Sequence, residues 1–297
     1  MKYSAIIPTL GRPDSLSRTL AALAAQSDPP EEVIVVDGLV PYTTALPIDS
    51  SWPFPVIIHP HQPASAAGQR NAGVSHTRPS NDLLLFIDDD IVPAHESCHL
   101  LVKAMGAPDL GAVAARMEGA RHKPPKGILR CYYRLQAGYS HHTYGGQIFG
   151  PAISCLPCYT HDEVDAGLIP AGWLPSGMLM VRRVAFEQVK GFPAFEGYSA
   201  LEDVYMSAAI ARAGHRLVFH PDARFEHLDP PSPARRDRAA LARMRLANRR
   251  LVAAEFLDLH GPAATFKFFL LRLFDTLAIL RQRPPGWPSE LRGTWLP

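Results

Sequence analysis

The 297-residue chain is 47% apolar and 20% charged, proportions that exclude wholesale disorder and allow a sizeable core. A formal net charge of +2 supplies no basic field of the kind that holds nucleic acid, so no nucleic-acid partner is expected. Four irregularly spaced cysteines, Cys98, Cys131, Cys155 and Cys158, do not form a disulfide framework and fit a reducing, cytoplasmic setting.

The N-terminal Tyr3-Ser4-Ala5-Ile6-Ile7-Pro8 is too short for a secretory apolar core and reads as a strand. After Pro13, a residue suited to a first helical turn, Leu16, Leu20, Leu23 and Ala24 recur at helical spacing. Strands are expected at Glu32 to Val36, Pro55 to His59, Asp82 to Ile87 and Gly111 to Ala115. Short apolar runs alternating with helices are the pattern of a mostly parallel sheet flanked by helices, an α/β fold. Leu83-Leu84-Leu85-Phe86-Ile87 lacks alternation, as a strand covered on both faces does, and it runs into Asp88-Asp89-Asp90.

Residues 118 to 172 are rich in Pro, Gly, Tyr and His with weak periodicity, and loops with short elements are expected there. Order returns with Gly177 to Val181 as a strand, Val184 to Lys190 as a short helix, Glu202 to Ala213 as a helix stopped by Gly214, and Arg216 to Phe219 as a strand. Beyond Pro230-Pro231-Ser232-Pro233, the spans 235–260 and 262–281 read as two helices, the first crowded with arginine. Lys267, Arg272 and Asp275 interrupt the second, so it falls short of the roughly 20 apolar residues a membrane span needs. The pair fits two arrangements: a basic amphipathic segment in peripheral contact with the inner face of a membrane, or a solvated face packed on the preceding domain.

In open α/β sheets ligands gather beyond the carboxyl ends of the strands, where Asp88-Asp89-Asp90 falls. Strand alternation would put Asp88 and Asp90 on one side, about 6.6 Å apart, with Asp89 turned away. Such a run is either a solvated acidic turn or a seat for a hard divalent cation, Mg²⁺ or Mn²⁺, bridging phosphate oxygens. Pro8-Thr9-Leu10-Gly11-Arg12 and Val36-Asp37-Gly38 end the first two strands on the same edge. There the Asp37 carboxylate can accept from a nucleobase N–H, and Arg12 or Arg70 can offset phosphate charge. Glu202-Asp203 opens a helix, where acids serve the helix dipole or take a proton from a hydroxyl nucleophile; only one of two adjacent residues can be that base. His227 either closes a metal shell begun by Asp90 or is structural. Cys155 and Cys158 read as ordinary loop thiols ahead of a zinc pair, since no second cysteine pair accompanies them.

Over roughly residues 3 to 250 the chain resembles glycosyltransferase family 2, of the Rossmann-like GT-A fold. The resemblance rests on an ordered series: Ile7-Pro8-Thr9, Val36-Asp37-Gly38, Gly68-Gln69-Arg70-Asn71, Phe86-Ile87-Asp88-Asp89-Asp90, Gly177 to Arg183, Gly191-Phe192, Glu202-Asp203, His227 and Asn248-Arg249. It implies an inverting transferase that moves a sugar from a UDP-, dTDP- or GDP-sugar to a hydroxyl of a saccharide or lipid-linked saccharide, in bacterial cell-surface or secondary glycan synthesis. On the donor side it implies Pro8, Thr9, Arg12, Asp37 at the base, Arg70, Asp88 near the ribose, and Asp89. Asp90, in what resembles the family's DXD motif, and His227 would hold the metal. Asp203 would be the general base. Gly177 and Met178 would begin the segment under the sugar and, with Glu202 and Trp173, form the acceptor side. Gly38-Leu39 stands where many members carry a second acid and a serine, and no Gln-x-x-Arg-Trp segment appears, so one extension of a short acceptor is expected. The implied division is a catalytic domain over 1–232, with halves at 1–117 and 118–232, and a helical extension over 233–297.

Three other readings compete. A nucleotidyltransferase needs a glycine-rich basic loop after the first strand, which Pro8 to Arg12 does not supply. An oxidoreductase needs Gly-x-Gly-x-x-Gly after an early strand, and the sequence has none. A catalytically silent binding or scaffolding protein would keep the pocket and show donor affinity without turnover.

Overall fold

The computed structural model describes residues 1–39, 51–119, 167–195, 200–228 and 237–296, with short pieces at 127–128, 130–132, 148–149 and 152–153. The segment carrying Cys155 and Cys158 lies outside the described residues. In chain order the first part comprises β1 (Tyr3–Thr9), α1 (Pro13–Ala24), β2 (Glu32–Asp37), β3 (Val56–Pro60), α2 (Ala66–Ser75), β4 (Leu83–Ile87), β5 (Ile91–Pro93), α3 (Ser97–Ala104) and β6 (Leu110–Met117). Two short strands, β7 (Ile148–Phe149) and β8 (Ala152–Ile153), pair with each other. The second part holds β9 (Ile169–Pro170), β10 (Met178–Arg182), α4 (Arg183–Gln188), α5 (Glu202–Arg212) and β11 (Arg216–His227). Three helices end the chain: α6 (Arg238–Leu257), α7 (Gly261–Gln282) and α8 (Trp287–Trp295).

The main sheet runs β3-β2-β1-β4-β10-β6-β11-β5, with β9 on β11. β1 to β4 are mutually parallel, whereas β10 is antiparallel to both β4 and β6. Because β1 is flanked by β2 and β4, the chain reverses its direction of travel there, and Thr9, Asp37 and Ile87 all end at one edge. β4 is buried on both faces as its unbroken apolar run requires. Leu83, Leu85 and Ile87 pack with Leu16, Leu20 and Leu101 of α1 and α3. Leu84 and Phe86 face Ala67, Phe186, Met206 and Ile210 of α2, α4 and α5. The result is a sheet between two helical layers, the architecture expected.

Two elements extend past their sequence signal. α2 carries two glycines and few large apolar residues, so its periodicity is faint. It forms because Ser65 caps it at Gly68 N (3.4 Å) and Gly73 lets it lie close to β1, where a Cβ would sit 2.4 Å from Ile6 Cγ2. β11 continues beyond Phe219 through a register shift between His220 and Arg224, then pairs with β5 so that His227 lies opposite Ile91.

The arginines of α6 are largely engaged among the helices: Arg249 Nη1 lies 3.4 Å from Asp275 Oδ2, Arg238 lies 3.6 Å from Glu290, and Arg250 sits over Phe268. α6 also packs on α5, with Val252 against Val204 and Trp173.

Candidate active site

The strand β4 ends at Ile87, so Asp88-Asp89-Asp90 is a turn, with Ile91 N donating to Asp88 O (3.3 Å). This corrects the expected alternation. Asp89 and Asp90 share one arginine and Asp88 turns to another, because strand geometry no longer governs their direction. Arg12, just ahead of α1, donates from Nε to Asp89 Oδ2 (3.1 Å) and from Nη1 to Asp90 Oδ2 (2.7 Å), and its Nη2 also contacts Asp89 Oδ1. The Thr9 hydroxyl donates to Asp89 Oδ2 (2.6 Å). Burial pushes the Asp89 carboxyl up to about 7, against the opposing influence of Arg12 and Thr9.

Arg70, on the second turn of α2, is almost wholly buried. It donates from Nη2 to Asp88 Oδ1 (2.6 Å) and from Nη1 to Glu202 Oε1 (3.1 Å), and its guanidinium lies 5.3 Å from the Phe192 ring centre. One cation therefore joins the end of β4 to the start of α5, 132 residues away in sequence from Arg70. Asp203 feels the same cation. Burial raises both acids of α5, Asp203 to about 6 and Glu202 to about 8, and the negative charge of Asp203 and Asp88 adds to the rise at Glu202. One guanidinium facing three carboxyl groups leaves an excess of negative charge, and a proton held by the pair near neutral pH relieves it.

α5 begins abruptly. Leu201 takes a left-handed conformation (φ 74°), a strained choice for a residue with a side chain, and Asn248 of α6 braces it by donating to Ala200 O (2.7 Å). This turn aims Glu202 at Arg70, while Asp203 Oδ1 accepts from Val204 N (2.8 Å).

The other expected residues divide. Pro8 is buried in β1 opposite Val36, and Asp37 ends β2 with Oδ1 accepting from Leu39 N (2.8 Å), the turn role that competes with a base contact. Gly177 O accepts from Asp88 N (3.0 Å), and Gly177 faces Asp88 so closely that a Cβ would lie 3.7 Å from its Oδ2. Met178 belongs to the core beside Ile87, and Trp173 is buried beneath α5 with no hydrogen-bond partner for its Nε1.

Gln69 and Asn71 were not assigned roles from sequence. Gln69 Nε2 donates to both Thr9 O (2.8 Å) and Val36 O (2.7 Å), tying the ends of β1 and β2 together. Asn71 pairs with both backbone groups of Phe192, joining α2 to the segment before α5. Their signal was two amides flanking a lone arginine.

His227 Nε2 lies 3.5 Å from Asp90 Oδ1, and this buried oxygen makes no hydrogen bond. Among the described residues no group of three or more metal-ligating side chains is gathered. A carboxylate with an unsatisfied oxygen beside an imidazole nonetheless fits a divalent cation, and Mg²⁺ in particular commonly keeps several waters and binds substrate phosphates alongside one or two carboxylates.

The model of glycosyl transferase family 2 matches residues 4–152, just over half of the chain. The chain belongs to glycosyltransferase family 2. The transferase is 32% identical over 94 residues to N-acetylglucosaminyl-diphospho-decaprenol L-rhamnosyltransferase of Mycobacterium tuberculosis, covering 32% of this chain and 30% of that protein. The match thus spans less than a third of the length of this curated relative. Among solved structures, the mannosyltransferase of Pyrobaculum calidifontis, in complex with GDP-Man and Mn²⁺, has a TM-score of 0.56 at 18% identity, covering 99% of this chain and 84% of that one. TarS of S. aureus, residues 1–349 with UDP, has a TM-score of 0.52 at 18% identity, covering 97% and 74%. At these identities the likeness is one of fold, and the transferase has the GT-A fold.

Proposed function

We propose that the transferase moves a sugar, with inversion, from a nucleoside-diphosphate sugar to a hydroxyl of a saccharide or lipid-linked saccharide. The observation carrying this reading is the Arg70 bridge, which draws Asp88, Glu202 and Asp203 around one cation at the ligand-binding edge of the sheet. Donor binding is assigned to Pro8, Thr9, Arg12, Asp37, Arg70, Asp88 and Asp89 within a nucleotide half ending near residue 117. Asp90 and His227 would hold Mg²⁺ or Mn²⁺, whose chemistry when bound is to neutralise charge on the leaving diphosphate. The acceptor is assigned to Glu202, Trp173 and Gly177. Met178 is better read as core support beneath them.

In the proposed reaction Asp203 takes the proton of the acceptor hydroxyl as that oxygen attacks the anomeric carbon from the face opposite the leaving group. The bond from the anomeric carbon to the phosphate oxygen breaks, the nucleoside diphosphate departs with its electron pair, and Arg12 helps to balance the charge it carries. A carboxyl held at about 6 is matched to this task, since it is ionised at neutral pH yet basic enough to accept a proton.

The test is Asp203→Asn. Donor binding, read by thermal shift, is expected to persist while transfer falls by about 10²- to 10⁴-fold. Transfer by the wild-type enzyme is expected to decline as pH falls through about 6, because the base becomes protonated. Near-normal turnover in the variant removes Asp203 from the role.

A further inference from the structure

The outward face of α7 has a composition unlike that of a solvated helix. Phe266, Phe269, Leu273, Leu277 and Leu280 recur at spacings of three and four, and each is exposed by 40 to 59%. They form one stripe about 21 Å long, at 1.5 Å per residue, with no charged residue within it. The opposite face holds Phe268, Leu271 and Ile279, which are buried, and the first two pack with Leu246 and Ala253 of α6. Trp295 and Leu296 at the end of α8 extend the stripe, the indole ring lying 6.1 Å from that of Phe269. A large apolar patch of this kind marks an interaction surface.

The charges identify the partner. Asp275, the single acid of α7, is turned inward to Arg249. Lys267, Arg272 and Arg281 flank the stripe, and Arg283 and Arg292 are exposed beside its end. Residues 237–296 carry ten basic and five acidic side chains, so this piece is strongly positive although the whole chain is only +2. A stripe of phenylalanine and leucine with a tryptophan at its border and cations on its flanks suits a helix lying in the plane of a lipid surface. A second copy of the chain would set these cations against one another.

We infer that α7 and the end of α8 seat the protein on an anionic lipid surface, with the stripe in the acyl boundary and the flanking cations among the headgroups. Among the described residues no helix is long and apolar enough to cross a membrane. α6 packs on both α7 and α5 through apolar side chains. The inference goes beyond the transfer reaction and is tested without it.

The experiment is flotation of the full chain with phosphatidylcholine vesicles prepared with and without phosphatidylglycerol. Binding is expected with the anionic vesicles, weaker binding with the neutral ones, and release as salt is raised. Leu273→Glu/Leu277→Glu and, separately, Arg281→Glu/Arg283→Glu are each expected to lower partitioning by about tenfold or more, with the melting temperature of the free protein unchanged. All four positions are exposed, so the variants leave the core intact. Failure of the wild type to float overturns the inference. So does wild-type behaviour of either variant, or a dimer in light scattering that the leucine variant dissociates without any vesicle binding.

Discussion

Arg12 and Arg70 each make direct contacts with two acidic side chains at the same sheet edge, yet 23% of the Arg12 side chain is exposed and only 3% of that of Arg70. The acids of Arg12 are neighbours in one turn, Asp89 and Asp90, whereas those of Arg70 come from separate elements, Asp88 after β4 and Glu202 at the start of α5. Burial makes the difference consequential. A buried ion has lost its water, so the Arg70 guanidinium depends on its acids, while Arg12 can exchange a protein partner for solvent or a ligand oxygen at modest cost. The Arg70 cluster thus acts as a fixed joint between the two halves of the cleft. The Arg12 cluster is an adjustable rim, which in the proposed reaction would suit a diphosphate that comes and goes.

The largest expected effect follows from the joint. Arg70→Met removes the buried cation that contacts both Asp88 and Glu202, and about 2–3 kcal/mol of folding stability should be lost in chemical denaturation at pH 7. A loss below about 1 kcal/mol would erase the contrast between the two arginines.

Glu202→Gln alone sharpens the same comparison at smaller scale. The folded chain holds a proton on Glu202 up to about 8, where an unfolded chain releases it near 4.5. The native state therefore binds more protons over this interval, and wild-type stability should fall as pH rises through it. Asp203 adds a similar decline up to about 6. The amide cannot ionise, so the variant should be more stable than the wild type by about 2 kcal/mol at pH 9 and close to it at pH 5. Equal stability at both pH values would mean that Glu202 is ionised throughout and fully satisfied by Arg70.

Much of this arrangement was legible in the sequence because it follows from periodicity. The unbroken run of β4, the leucines of α1 and the shared edge of Thr9, Asp37 and Asp88 came from spacing, and the ordered motifs marked both acid groups. What spacing could not give was direction at the ends of elements. Asp88-Asp89-Asp90 departs from alternation because the strand stops one residue before it. Nor could spacing single out Arg70 as the joint, since its partners lie 18 and 132 residues away. α2 was hidden by its glycines, one of which, Gly73, is needed for close packing on Ile6. Met178 was grouped with the acceptor side by motif, yet the pleat turns it into the core.

The smallest effect is expected at the rim. Arg12→Ala removes a partly exposed cation from Asp89 and Asp90, and with chelator present it should cost about 1 kcal/mol at pH 6. The reason is that Asp89, raised to about 7, is already mostly protonated at pH 6 and keeps its bond from Thr9 when its partner is lost. This escape closes as pH rises, because protonating Asp89 above its own pKa becomes progressively harder. The cost of Arg12→Ala should therefore grow between pH 6 and pH 8, while staying below that of Arg70→Met at pH 7. Denaturation midpoints of wild type and variant at the two pH values measure it directly. A cost independent of pH would show that Asp89 stays ionised without Arg12, and the rim would then be as rigidly built as the joint.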